Sequence, residues 1–199
     1  MGPTGAYGHR LGRYFGLDAA PSLVTSGPRR RRFAVTRLRC GRDRLGLKQT
    51  IPAEDAFIVI LHLAAIGHLE LWRHGHAVSA GAYAPGSISI ANLMDDFAVS
   101  IGGPLDCLSF YMPRPLFDAL ADEAGAPRLE ALQCAPGHED PIIEQIGAAL
   151  LPLLASPETV APGFLEHIAL ATTVHVAHTY GNLRLDAYAP FLRWDRKLH

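Results

Sequence analysis

The first half of the chain consists of short apolar segments separated by turn-forming residues. The run Ala56–Leu63 is aliphatic and β-branched almost throughout, which is typical of a strand buried on both faces. Ser87–Leu93 alternates apolar and polar positions, and Pro85-Gly86 marks a turn before it. Further short strands are predicted at Phe33–Gly41, His68–Arg73, His76–Val78, Phe97–Ile101 and Leu105–Tyr111. Many short strands with Gly and Pro turns predict an antiparallel β-sandwich or barrel.

The second half of the chain changes to a helical period. One helix is predicted from Pro113 to about Ala124, and a third and longer one from about Val160 to Thr179. Between them, a second helix begins at Asp140-Pro141, because aspartate is a good N-cap and proline suits the first helical turn. Its buried face is expected to comprise Ile142, Ile146, Ala149, Leu150 and Leu153. The predicted fold class is therefore α+β, a sandwich or barrel followed by about three helices.

The third predicted helix is apolar around most of its circumference. A helix of this kind needs to be covered by more than one surface. The sheet can cover one side, and a second subunit would cover another, so we expect a homodimer. The residues expected at the dimer interface are Phe164, Ile168, Leu170, Val174 and His178.

Composition narrows the class of protein. The 199 residues are 49% hydrophobic and 19% charged, which is enough apolar material for a packed core. No apolar run approaches the roughly 20 residues that a membrane span requires, and residues 1–13 contain no cleavable apolar segment. The three cysteines, Cys40, Cys107 and Cys134, form no CxxC pair, so reduced cysteines in a cytoplasmic protein are expected.

The net charge of −1 conceals an asymmetry along the chain. Of the 18 Lys and Arg residues, 11 lie at or before Lys48, where Asp18 and Asp43 are the only acidic residues. The rest of the chain is correspondingly acidic, and Arg29–Arg32 is the densest basic run. Such a leader can bind nucleic acid or another anionic partner, or dock on the acidic part of its own chain or of a dimer mate. A charge run is more often a solvated face than a nucleic-acid site.

Histidines are the candidate metal ligands, but no group of them has the pattern of a metal site. His74 and His76 flank a glycine at a predicted hairpin turn, and no glutamate follows where a cupin metal site needs one. His167, His175 and His178 share one predicted helix, where an interface or core role is more common. The sequence contains no GxSxG, Walker or dinucleotide-binding motif, so we expect no enzyme activity, metal or cofactor.

Several local patterns occur together in a particular order. They are Gly5–Gly8, Arg13–Leu17, Pro21–Leu23, Ala34–Cys40, Glu54–Phe57, His68–Trp72 with Gly75, Phe110–Arg114, Ala121–Pro127, and His175–Ala177 with Thr179–Gly181. This ordered set resembles the N-terminal domain of AraC-type transcriptional regulators. The resemblance covers nearly the whole chain to about Leu183.

The resemblance implies a cupin-like β domain that binds a small-molecule effector, followed by helices that mediate dimerisation. It divides the chain into a basic leader at 1–32, a cupin-like domain at 33–112, a helical dimerisation segment at 113–181 and a tail at 182–199. Pocket candidates, chosen by residue type, are His62, Trp72 and Asn92. In the family, DNA is bound by a C-terminal helix-turn-helix domain, and 18 residues after Gly181 are too few to form one.

Two other functions stay open at this point. One is a small metal-dependent cupin enzyme, for which the strands offer His62, His68, His74 and His76 without the expected glutamate. The other is a decoy, deficient in DNA binding, that forms heterodimers with intact relatives. The chain itself is expected to be a truncated gene product, an excised domain or a stand-alone protein, and the sequence does not choose among these.

Overall fold

Two antiparallel β-sheets face each other and form a sandwich. The structure is a computed structural model that describes residues 5–28, 31–41 and 45–183, and for residues 45–49 only the backbone. Arg29 and Arg30 of the basic run, and the tail from residue 184 onwards, lie outside the described residues. The larger sheet has the strand order β1-β2-β9-β4-β7-β10. Its strands are β1 (Ser22–Val24), β2 (Ala34–Cys40), β4 (Ala56–His62), β7 (Ser87–Asn92), β9 (Leu105–Pro113) and β10 (His138–Glu139).

The smaller sheet has the strand order β3-β8-β5-β6. Its strands are β3 (Leu45–Thr50), β5 (Ile66–Arg73), β6 (His76–Tyr83) and β8 (Ala98–Ile101). The predicted hairpin turn between β5 and β6 is confirmed, and both of its central residues, His74 and Gly75, have positive φ angles of 49° and 77°. Positive φ at both positions is what a two-residue hairpin of the I′ type requires.

Helices cover the outer face of the larger sheet. They are α2 (Arg114–Ala124), α3 (Pro141–Leu150) and α4 (Pro162–Thr179), and a short helix α1 (Gly8–Tyr14) precedes the strands. The predicted α+β fold, a cupin-like antiparallel sandwich followed by about three helices, is confirmed. Within the part of the chain that the structure describes, no helix is both long and apolar enough to cross a bilayer.

Strand β4 separates two hydrophobic cores. Phe57, Val59 and Leu61 belong to the core beneath the helices, whereas Ala56 and Ile58 belong to the core between the sheets. Successive side chains of a strand point to opposite faces, so an aliphatic strand in a central position serves both cores. The prediction that this strand is buried on both faces is confirmed.

The segment around α1 packs into the core between the sheets. Tyr7, Leu11 and Phe15 are buried there. The carboxylate of Glu54 accepts a hydrogen bond from the backbone N–H of Ala6 (3.0 Å) and forms an ion pair with Arg10 (3.3 Å). This part of the predicted leader therefore docks on an acidic group of its own chain.

The buried face of α3 differs from the predicted one. The structure buries Ile143, Gly147 and Leu150, while Ile142 is 51% exposed. The helix makes its closest approach to the sheet at Gly147, where an added Cβ would overlap the side chain of Leu61 and lie 3.2 Å from Leu108 Cδ1. Glycine contributes nothing to a pattern of apolar residues, so the position that sets the orientation of α3 gave no signal in the sequence.

The Gly147→Val variant is expected to be less stable than wild type by roughly 1–3 kcal/mol, because the extra atoms overpack the contact between α3 and β4. Ala148→Val on the exposed side of the same helix is the matched control, and it should change the free energy of unfolding by about 0.5 kcal/mol or less. Urea unfolding of both variants measures the difference. Equal effects would contradict the close contact at Gly147.

Candidate functional site

A small cavity lies between the two sheets. Its volume is about 20 Å³, which is enough for about one water molecule. Both sheets and the end of the α1 segment contribute to its walls. The residues that line it are Phe15, Leu38, Ile60, His62, Leu69, Leu71, Ser89, Val99, Ile101, Leu105 and Cys107.

Most of the polar groups in this interior lie on the larger sheet, and Tyr83 belongs to the smaller one. Ile60 pairs with Ser89 on one side and with Ser109 on the other, so the two serines flank it in one row across three strands. His62 is two residues further along β4, on the same face. Its Nε2 lies 3.4 Å from Ser89 Oγ, and its ring packs against the ring of Tyr83 with centroids 4.9 Å apart.

Three polar atoms in this region are buried and unpaired. Within the described residues, His62 Nδ1, Tyr83 OH and Ser109 Oγ have no hydrogen-bond partner. These three residues are 1%, 4% and 2% exposed. Leaving a buried polar group unsatisfied costs about 1–3 kcal/mol, so natural cores contain few such groups. Their concentration beside one cavity makes this region the candidate functional site.

The site is electrically neutral near pH 7. Burial lowers the pKa of His62 to about 4, because the charged imidazolium is poorly solvated in the apolar interior. Burial also raises the pKa of the Cys107 thiol to about 12, so this cysteine is neither a nucleophile nor a thiolate ligand at neutral pH. The interior therefore presents hydroxyl groups, a neutral imidazole and a thiol.

Of the three pocket residues predicted from residue type, the structure places only His62 at this cavity. Trp72 is not among the lining residues, and its indole N–H donates to Glu70 Oε2 at 3.2 Å, two residues away on the same strand. Asn92 ends β7, where its side chain accepts a hydrogen bond from the backbone N–H of Met94 at the start of a 3₁₀ helix (Leu93–Asp95). It pairs with Phe57, which faces the helices.

Sequence reasoning missed Ser89, Ser109 and Tyr83. One signal was available for Ser89, because strict alternation in Ser87–Asn92 places Ser89 on the opposite face from Asn92. Which of these two faces lines the interior depends on strand order, and the local pattern does not contain that information.

The interior does not match the donor set of a metal-binding cupin. Among the described residues that line the cavity, His62 and Cys107 are the ones that could coordinate a metal, and burial holds the Cys107 thiol protonated. Across the described residues, no group of three His, Cys, Asp or Glu side chains is arranged to hold a metal ion. The three histidines of α4 diverge: His175 contacts Asp140, His167 contacts the Gly163 carbonyl, and His178 is exposed.

A second notable surface lies on α4, away from the sheet. Phe164 and Leu170 are 44% and 47% exposed, and His178 is exposed too. Ile168 and Val174, also predicted for the dimer interface, are half-buried and pack partly against the chain's own core. Leu170 borders a groove of about 280 Å³ between α2 and α4, whose floor is apolar and whose rim carries charged side chains.

Comparison with known proteins gives only distant likenesses. No family model matches the sequence, and no curated protein matches it. The AraC-like transcriptional activator CuxR is 11% identical, with 83% of this chain and 64% of that chain covered and a TM-score of 0.41. A cupin superfamily protein from Desulfitobacterium hafniense is 10% identical, with 48% and 79% covered and a TM-score of 0.30. The cupin domain of Schizosaccharomyces pombe Cnp3 is 13% identical, with 55% and 72% covered and a TM-score of 0.34. With TM-scores below 0.5, these likenesses assign the chain to no family.

Proposed function

We propose that this chain is the ligand-sensing and dimerisation module of an AraC-type transcription regulator, with no catalytic role of its own. It binds a small-molecule effector between the sheets and pairs with a second copy through α4. DNA is contacted by a separate helix-turn-helix domain. The resemblance in the order of the sequence patterns supports this assignment, and the arrangement of the larger sheet supports the mechanism.

The observation that carries the proposal is that one sheet has unpaired polar groups on its inner face and the helices on its outer face. Along β4, His62 faces the cavity, while the preceding residue, Leu61, packs under α3 at Gly147. A ligand that moves β4 or its neighbours therefore changes the surface on which the helices rest. Binding shifts the population between two helix arrangements if the ligand has different affinities for them.

Exposed apolar residues support the dimer. Phe164 and Leu170 stand on the solvent side of α4, and large exposed apolar patches commonly mark protein interfaces. The groove beside Leu170 offers an apolar floor for a side chain of the second copy. Its rim carries Arg31, Glu123 and Glu166, and a charge introduced on the apolar floor would lose its hydration when the second copy covers it.

Sedimentation equilibrium on wild type and on Leu170→Glu tests the proposal. Wild type is expected to be a dimer, and the variant should dissociate about 10- to 30-fold more readily, because the substitution replaces an apolar contact by a charge buried in the interface. Val78→Glu is the matched control, since Val78 is a similarly exposed apolar residue on β6 (53%). Circular dichroism checks that both variants fold. A monomeric wild type, or equal weakening by both substitutions, would contradict a dimer through α4.

A further inference from the structure

The described residues that line the cavity carry no formal charge near pH 7. None of the eleven lining residues is Asp, Glu, Lys or Arg. An ionised ligand group placed there would lose its hydration without gaining a counter-ion, which is strongly unfavourable. The interior is therefore expected to exclude charged ligands, whatever their shape.

The two walls of the cavity differ in polarity. On the larger sheet, Ser89 and His62 line the cavity with hydrogen-bonding groups, and Ser109 lies behind them, beside Ile60 in the same row. The described lining residues of the smaller sheet are aliphatic: Leu69, Leu71, Val99 and Ile101. Tyr83 of the same sheet lies behind them, against the His62 ring. A molecule that fits both walls has a hydrogen-bonding group at one end and an apolar body at the other.

The unpaired atoms indicate which hydrogen bonds a ligand would complete. Ser109 Oγ and Tyr83 OH can each donate and accept, and a neutral imidazole nitrogen of His62 can do either according to its tautomer. A hydroxyl or carbonyl group satisfies such partners without bringing a charge. The cavity holds about one water molecule, so an apolar body enters only by displacing part of the wall. Phe15, from the α1 segment, is the described lining residue that belongs to neither sheet, and a body of about the size of its ring would take its place.

We propose that the effector is a small uncharged molecule with an apolar body and one hydroxyl or carbonyl group, which is bound by Ser109, Ser89 and His62. This inference rests on the proposed function and specifies its ligand. It also gives the three unpaired groups a hydrogen-bond partner that the rest of the described chain does not provide.

Four probes that share one ring test the ligand class: benzyl alcohol, toluene, benzoate and benzylammonium. Titration of the full chain followed by amide chemical shifts gives each dissociation constant and locates the site. Benzyl alcohol is expected to bind most tightly. Toluene should bind about fivefold more weakly, because it cannot form the hydrogen bond. Benzoate and benzylammonium should bind at least tenfold more weakly than benzyl alcohol, because their charges lose hydration. The shifted amides should lie along β4, β7 and β9.

Ser109→Ala provides a second, independent measurement. Removing an unsatisfied buried hydroxyl should raise the melting temperature of the free protein, or leave it unchanged, while weakening benzyl alcohol binding about fivefold. A merely structural serine would not combine these two effects. Ser100→Ala on β8 is the control and should change neither quantity, because Ser100 points away from the cavity that its neighbours Val99 and Ile101 line.

The outcomes separate the ligand class from the proposed function. Tighter binding of benzoate or benzylammonium in the interior overturns the uncharged class and leaves a ligand-sensing interior standing. Equal binding of toluene and benzyl alcohol, unaffected by Ser109→Ala, overturns the role of the polar groups. If none of the four binds, the ligand class is wrong, and sedimentation of Leu170→Glu decides separately whether the dimerisation part of the proposed function holds.

Discussion

Replacing Asp140 with alanine is expected to lower the free energy of unfolding by about 3–5 kcal/mol, the effect of removing one partner from a buried charged network. Asp140 is 3% exposed and caps α3, since its Oδ1 accepts the backbone N–H groups of Ile142 and Ile143, each at 2.9 Å. Its Oδ2 accepts the Tyr180 hydroxyl at 2.5 Å and lies 2.7 Å from His175 Nε2. One carboxylate thus joins the start of α3 to the end of α4.

Urea unfolding at pH 7 measures the loss. Glu139→Ala, which removes the adjacent exposed carboxylate, is the control and should stay within about 0.5 kcal/mol of wild type. Tyr180→Phe removes a single hydrogen bond from the network and should cost about 1 kcal/mol. A loss below about 1 kcal/mol for Asp140→Ala would show that the contacts of this carboxylate with α3 and α4 contribute little to stability.

The same carboxylate has a defined pH dependence. Burial alone would raise the pKa of Asp140, but hydrogen bonds from Tyr180, His175 and the Ile143 backbone outweigh it and hold the pKa below its ordinary value. A group with a lowered acidic pKa stabilises the fold above its unfolded pKa of about 4, and this contribution is lost as the pH falls through the folded value. The stability difference between wild type and Asp140→Ala should therefore shrink only in strong acid.

Local chemistry made much of the fold predictable. The aliphatic run of β4 predicted a strand with two buried faces, and Asp140-Pro141 predicted the start of α3, because capping and first-turn preferences depend on neighbouring residues alone. The His74-Gly75 turn followed for the same reason. In each case the residues that form the pattern in the sequence are the same residues that form the strand, the helix start or the turn.

The remaining elements depend on long-range partners. Strands β1 and β10 are three and two residues long, too short to show a period, and they exist because β2 and β7 offer them hydrogen bonds. Helix α1 was not predicted either, since two of its three buried residues, Gly8 and Gly12, are glycines, which carry no apolar side chain and are poor helix formers. Its apolar groups gain burial only against the completed sandwich.

The sequence predicted a pocket in the strand region, but of its lining residues it identified only His62. Alternation shows which positions of a strand share a face, and it leaves open whether that face meets the helices or the second sheet. Asn92 was selected by its polarity although it lies on the helix-facing side, while Ser89, on the cavity side, was passed over. Ser109 became visible only when β9 was placed beside β4.

Acidification is expected to lower the free energy of unfolding of wild type through His62. A variant without this imidazole should not show that decrease. The pKa of His62 is lowered from 6.5 to about 4 by burial, so the unfolded chain binds a proton in this interval that the folded chain does not. The free energy of unfolding is therefore unaffected by this group above about pH 6.5. Relative to its value at pH 7, it is lower by about 2 kcal/mol at pH 5 and by about 3 kcal/mol at pH 4. Below pH 4 the folded chain is protonated too, and little further loss from this group follows.

His62→Gln isolates the effect, because glutamine keeps a hydrogen-bonding side chain of similar size that does not titrate. Urea unfolding of both proteins at intervals from pH 7 to pH 4 gives two stability curves, and their difference cancels the contributions of Asp140 and the other shared groups. The curves should converge by about 2 kcal/mol at pH 5. Parallel curves would mean that His62 is protonated as readily in the fold as in the unfolded chain, and the interior would then be polar enough to accept a charge. In that case the effector need not be neutral, since an imidazolium beside Ser89 would attract an anion into the same cavity.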